Sequence, residues 1–243
     1  FGFRENKGKR WYRIRGGVES HGDYSDGKGS RVLNSRSDGY YLKASYGFQK
    51  KNLSSVNHYM GSFNRYGFIF NDVYNFVFPD ARNGRRLNEN PAHLVILNMI
   101  SSENRVKLKK DWAMNLNAGL QHNQRMENEG GGAISLNMQL ITAQYLLKLE
   151  KRVSPASRLI FSHLASVENN HNFGARKIVP NAWMQELNVS AYLETEIKGK
   201  LIFENGAGLG MKHIRTLLTD GVNSPEKSIQ PFNKNSPYYN LVT

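Results

Sequence analysis

The sequence predicts an all-β protein: an antiparallel transmembrane β-barrel segment, about ten long strands forming an open curved sheet. Three observations point there. Apolar side chains recur with a period of two in one segment after another, which gives a strand one oily and one wet face. Several of these segments run to about 15 residues or more, well past the ~5–6 of an ordinary soluble strand. Short polar turns alternate with long loops along the chain, as they do on the two rims of a bacterial outer-membrane barrel.

Taken in order, Tyr40, Leu42, Ala44, Tyr46 and Phe48 oppose Lys43, Ser45 and Gly47. His93–Ile100 is apolar almost throughout. In Trp112–Arg125 the set Trp112, Met114, Leu116, Ala118 and Leu120 opposes Asn115, Asn117, Gly119, Gln121 and Asn123. A helix would mix the two sets on every side. Leu136–Leu149 changes parity part-way: Leu136, Met138 and Leu140 give way to Ile141, Ala143, Tyr145 and Leu147. A β-bulge would produce that slip, and a buried helix can also be drawn through this segment. Leu159, Phe161, His163, Ala165 and Val167 continue the two-residue period, as do Leu187, Val189, Ala191 and Leu193, then Ala207, Leu209 and Met211.

Short turns are expected near Asn6-Lys7-Gly8, Lys50–Asn52, Lys109–Asp111, Ser154–Ser157 and Lys198–Lys200. Long loops are expected at Gly22–Val32, Asn71–Ala92, Glu127–Ala133, Asn169–Ala182 and Thr219–Ser236. Trp11 and Trp112 sit just inside short turns, and Trp183, Tyr66 and Phe68 near the long-loop ends, the two levels of an aromatic girdle. Leu116, Leu187, Val189 and Leu209 are expected to face lipid. Asn115, Asn117, Glu186 and Asn188 are expected to face a lumen.

Composition narrows the function classes. The chain has 243 residues and no cysteine, which excludes disulfides, thiolate zinc sites and a cysteine nucleophile. No apolar run approaches the ~20 residues of a membrane helix. The net charge of +13 is scattered over strand ends and loops, with no basic helix and no aromatic RNA-binding strand, so nucleic acid is not expected as a partner. A pore wall and rim that meet anionic lipopolysaccharide or anionic ligands use such charge equally well.

Specific strings carry a resemblance. His21–Arg36, HGDYSDGKGSRVLNSR, is similar to the first large loop of TonB-dependent outer-membrane receptors of the iron-complex type. Glu103–Glu129, with its alternating Leu-Asn strand ending in Gln-x-Asn-x-Arg, resembles a hairpin of the same family. Ile178–Glu194, IVPNAWMQELNVSAYLE, resembles the passage in which that family leaves a loop at a proline and enters a strand. The order and spacing of the three agree. The resemblance implies part of a barrel of 22 strands enclosing a globular plug, energised by the TonB complex through a short N-terminal box, and importing a ferric chelate such as a siderophore, or haem. No plug and no TonB box stand in these residues, and Ser236-Pro237-Tyr238-Tyr239 reads as the start of a further strand. Residues 1–243 are therefore expected to be a partial receptor barrel domain, roughly the first half, with lipid and lipopolysaccharide as surroundings.

Candidate sites are few. Arg82, Arg85 and Arg86 in the loop DARNGRRLNENP could hold an anionic chelate by paired guanidinium hydrogen bonds. His122 and His163 fall on strand parities without the spacing or acidic company of a metal site. Gly206, Gly208 and Gly210 lie inside a strand, not at a strand-to-helix turn, so they read as relief of crowding on the lumen face and not as a nucleotide loop. Asp23-Tyr24-Ser25-Asp26-Gly27 lacks the later bidentate Glu of a calcium loop and reads as a turn held by Asx hydrogen bonds. No strand-turn-helix nucleophile elbow is visible, and neither an enzyme nor a cofactor is expected. The leading reading is a TonB-dependent importer. The alternatives are a passive porin-like channel and a soluble β protein that binds polyanions.

Overall fold

The computed structural model describes residues 1–30, 32, 34–68, 91–129, 133–217 and 233–242. The strands are β1 Gly2–Lys7, β2 Arg10–His21, β3 Ser37–Gln49, β4 Leu53–Gly67, β5 Ala92–Lys107 and β6 Trp112–Asn128. β7 Ile134–Ser154, β8 Ser157–Asn172, β9 Ala182–Ile197, β10 Leu201–Thr216 and β11 Asn233–Val242 complete them. All eleven pair in sequence order, each antiparallel to the next, in one sheet. β1 and β11 share no ladder, so the sheet is open among the described residues.

The short connections fall where the sequence places them. Lys110 and Asp111 both have positive φ, as do Lys198 and Gly199, the mirror-image geometry whose twist matches a tight hairpin. The large first loop is held by its own polar groups. Asp26 Oδ1 accepts from the backbone N–H of Lys28 at 2.9 Å and of Ser30 at 2.8 Å, the Asx turn expected in place of a calcium loop.

Cross-strand partners point to the same face, so the register assigns every side chain to one of two walls. Leu116, Leu147, His163, Val189 and Leu209 form one continuous row on the apolar wall. Asn117, Leu146, Leu164 and Asn188 form a row on the other. The face assignment made from parity therefore holds across β6–β10. Only Ala92, Leu94, Leu136 and Ile160 are buried apolar residues among those described. Val189 is 52% and Leu209 68% exposed. Among the described residues no second layer covers this wall, and an uncovered oily face this wide needs a nonaqueous surrounding.

The apolar band also drifts across the ladder. Tyr12 marks its short-turn edge on β2, next to Arg10. The row of Tyr12 runs through Tyr46, Asn57, Ser102, Ala118, Tyr145, Ala165 and Leu187 to Met211 on β10. Met211 is the long-loop edge of the band there, with His213 and Arg215 beyond it and Phe203 and Leu201 at the opposite edge. The band has slipped by about its own height over eight strand steps, roughly one residue per strand. With ~3.3 Å per residue and ~4.8 Å between strands, that corresponds to a tilt of about 35°. The segment Trp112–Leu120 then spans a height of about 22 Å, close to the ~25 Å of an outer-membrane barrel's apolar belt.

Three expectations are corrected. Trp11 is not on the apolar wall: it pairs with Gly47 on the polar one, where its ring lies over that glycine. Tyr66 likewise pairs with His93 on the polar wall, and Phe68 lies past the end of β4. The girdle at the short-turn rim is instead built by Tyr12 stacked on Tyr46 at 5.3 Å, Phe48 beside it, and Trp112 under Lys151. Finally, β7 has no bulge at its change of parity. Its register with β6 and β8 runs unbroken through Leu140 and Ile141, and the irregularities lie at its ends, opposite Glu127/Asn128 and between Arg152 and Ser154. The slip in pattern is a true change of polarity on both walls.

Candidate functional site: the polar wall and its long-loop rim

On the polar wall of β5–β10, acids and bases interleave. Glu150 accepts from Asn115 Nδ2 at 2.5 Å and lies 3.7 Å from Arg105 and 3.9 Å from Arg158. Arg158 donates to Glu194 at 2.8 Å. Tyr238 reaches from β11 across β10 to donate to Glu186 at 2.6 Å. It passes directly over Gly210, where an added Cβ would stand 2.2 Å from the Tyr238 ring. Gly206 and Gly208 are crowded in the same way, by Tyr192 and Ser190. The three glycines thus make room on this wall, as their parity predicts.

An apolar patch interrupts the polar wall in its outer half. Val95, Leu97 and Met99 of β5 face Arg125, Asn123 and Gln121 of β6, which face Met138, Leu140 and Thr142 of β7. These side chains explain both the nearly all-apolar stretch His93–Ile100 and the parity change in β7. Below them a recess of about 520 Å³ opens over Gly119, lined by Glu103, Asn117, Gln121, Gln144 and Glu168 among others.

The long-loop rim is fastened by buried polar groups. Asn34, 2% exposed and at φ 61°, donates from Nδ2 to the carbonyls of Phe68 at 2.9 Å and Pro91 at 2.7 Å. It thereby clamps the two ends of the stretch that carries Arg82, Arg85 and Arg86. Those three arginines lie outside the described residues. The next residue in the Leu-Asn-Ser-Arg string, Ser35, accepts from Tyr24 N–H and donates to Val32 O. In the proline passage, Asn170 donates to Pro180 O and Asn172 to Val179 O and Asn181. Two of the recognised strings are therefore loop closures made by asparagine.

A charged cluster stands beside the clamp. Glu127, 7% exposed, lies 3.1 Å from Arg125, 3.6 Å from Arg176 and 3.9 Å from His93. Arg176, which also bonds Glu129, belongs to the β8–β9 connection, which folds back on β7 through Phe173 N–H to Asn137 O and Arg176 N–H to Ser135 O. Sequence reasoning missed both Asn34 and Glu127. The readable signal for the first was an asparagine, a residue tolerant of positive φ, just before a strand; nothing local announced the second. Of the histidines, His163 bonds the Tyr145 hydroxyl at 3.0 Å and His122 bonds Gln139 at 2.8 Å. Among the described residues no three His, Asp or Glu side chains converge as a metal site.

No family model and no curated relative matches the chain. Solved structures do. The FrpB iron transporter from Neisseria meningitidis (F3-3 variant) superposes with a TM-score of 0.66 at 13% identity, over 98% of this chain and 41% of that one. Its F5-1 variant gives 0.66 at 14%, with the same coverage. The ferric yersiniabactin uptake receptor FyuA from Yersinia pestis gives 0.57 at 11%, over 98% of this chain and 40% of that one. The chain thus spans about two fifths of the length of the structures it matches, and at these identities the likeness is one of fold. That fold is a stretch of antiparallel transmembrane β-barrel, as found in these transporters.

Proposed function

We propose that residues 1–243 are part of the barrel domain of an outer-membrane, TonB-dependent importer of an iron complex. The observation that carries the reading is the joint one of coverage and openness. Almost the whole chain lies on two fifths of an iron transporter, and its first and last strands do not pair with each other. The uncovered apolar band, tilted and close in height to an outer-membrane barrel's apolar belt, supports the membrane location. Iron transporters among the similar structures support a ferric chelate as cargo, and Arg82, Arg85 and Arg86 on their clamped loop are proposed to meet it.

The test is uptake of radiolabelled ferric complexes into cells carrying the intact gene, with and without a functional TonB. Uptake that needs both the gene and TonB is expected. Permeation that is undiminished without TonB would instead establish the porin-like channel.

A further inference from the structure

Charge on the polar wall is divided unevenly between its two halves. Across β5–β10 bases stand beside acids, as with Arg158 and Glu194 or Lys212 and its cross-strand partner Glu186. Across β1–β4, Glu19 is the single acid on this wall among the described residues, against Arg4, Arg13, Arg15 and Lys43. These four are neighbours in two adjacent rows: Arg4 pairs with Arg13, and Arg15 pairs with Lys43. Like charges directly opposite one another repel. None of the four side chains makes a hydrogen bond or ion pair among the described residues. A recess of about 630 Å³ opens beside the upper pair, lined by Arg15, Tyr41, Lys43, Met60 and Ser62 with Gly2, Gly16 and the apolar Phe1. Tyr41, which lines this recess, lays the hydroxyl end of its ring over Gly17, where no side chain lifts it.

We propose that this basic quadrant of the wall is a binding site for a compact, multivalent oxyanion of the polycarboxylate or pyrophosphate kind. The dimensions favour such a ligand. The four cations stand on three adjacent strands, ~10 Å across and ~6.6 Å along the strand, so their long side chains can converge on one small polyanion. Guanidinium groups provide paired donors to each carboxylate or phosphate edge, and the Tyr41 and Ser62 hydroxyls add neutral ones. A bound polyanion removes the repulsion within both pairs. The proposal requires that this wall face the lumen and is independent of which cargo is imported.

The intact protein, purified folded in detergent, is titrated with citrate and separately with pyrophosphate by calorimetry, with Trp11 fluorescence as a second readout. Trp11 lies on the same wall two residues from Arg13, and Trp11→Phe identifies its share of the signal. Binding of at least one of the two anions is expected, weakened by added salt and reduced about tenfold or more in Arg15→Gln/Lys43→Gln. Lys212→Gln, in the balanced half, should bind as the parent does. Absence of binding to folded protein, or equal affinity in the double variant, overturns the proposal. So does an acidic protein segment already seated there, which would block both anions and leave the double variant less stable than its parent. Iron uptake by cells is scored separately, so loss of one reading leaves the other standing.

Discussion

Arginine placed at Leu116 and at Asn117 of the intact protein separates the two walls at a single depth. Leu116 is the middle residue of the Trp112–Leu120 band and shares its row with Leu147, Val189 and Leu209. A cation there faces hydrocarbon, with Leu147 on one side and Asn104 as its polar cross-strand partner on the other, and the expected cost is about 2–4 kcal/mol. One residue on, Asn117 points to the other wall and pairs directly with Glu103. Arginine there gains an acidic neighbour, worth ~0.2–1 kcal/mol, so it should be neutral or slightly stabilising. The difference between the variants should therefore be at least about 2 kcal/mol, some thirtyfold in the folding equilibrium. Reversible urea unfolding in lipid vesicles, followed by tryptophan fluorescence and by heat-modifiable gel mobility, measures it. Equal effects at the two positions would refute the wall assignment.

Removing the Asn34 amide with Asn34→Ala frees the carbonyls of Phe68 and Pro91 and puts alanine at positive φ; a loss of about 2–3 kcal/mol is expected by the same unfolding assay. Asn34→Gly, which keeps the backbone conformation, should lose less, and equal losses would show that the conformation is irrelevant. Gly210→Ala drives a Cβ into the Tyr238 ring and should cost about 1–3 kcal/mol, with most of it recovered in Gly210→Ala/Tyr238→Ala; no recovery would place the clash elsewhere. Expressed alone, residues 1–243 should aggregate from water, since among the described residues nothing covers the apolar wall or the edges of β1 and β11. A monodisperse, detergent-free product in a sedimentation run would contradict this.

The strands were legible because a period of two survives wherever lipid and water lie on opposite sides, and Trp112–Gln121 shows it without interruption. Legibility failed where one wall stopped being uniform. Met138 and Leu140 face the polar wall but are apolar themselves, so local pattern mimicked a bulge that the register does not contain. Trp11 was misread because a tryptophan near a turn signals depth and says nothing about side; its neighbour Gly47, 35 residues or so along the chain, decides that. The rim site was hidden for a related reason. Asn34 acts on Phe68 and Pro91, and Glu127 gathers Arg125 and Arg176 from different elements, contacts that exist only once the strands are in register. The same holds for the basic quadrant: Arg4, Arg13, Arg15 and Lys43 look like scattered charge until pairing sets them side by side.

Tilt and openness, taken together, bear on the kind of barrel these strands serve. A band that slips about one residue per strand implies strands tilted by roughly 35°, and this shear is shared by narrow and wide barrels alike. Strand number is what sets the diameter. Were β1 to pair with β11, eleven strands would close on a lumen only a little wider than that of the ~8-stranded barrel whose side chains just fill it. The polar wall instead carries glycines that lower it, recesses of about 520 and 630 Å³, and bulky or charged side chains with room in front of them. Those features belong to a wall that faces contents. Meanwhile each bare edge holds backbone N–H and C=O groups that hydrocarbon cannot satisfy, at several kcal/mol apiece. Further strands on both edges, as the proposed importer has, would satisfy these groups and widen the lumen in front of that wall in one step.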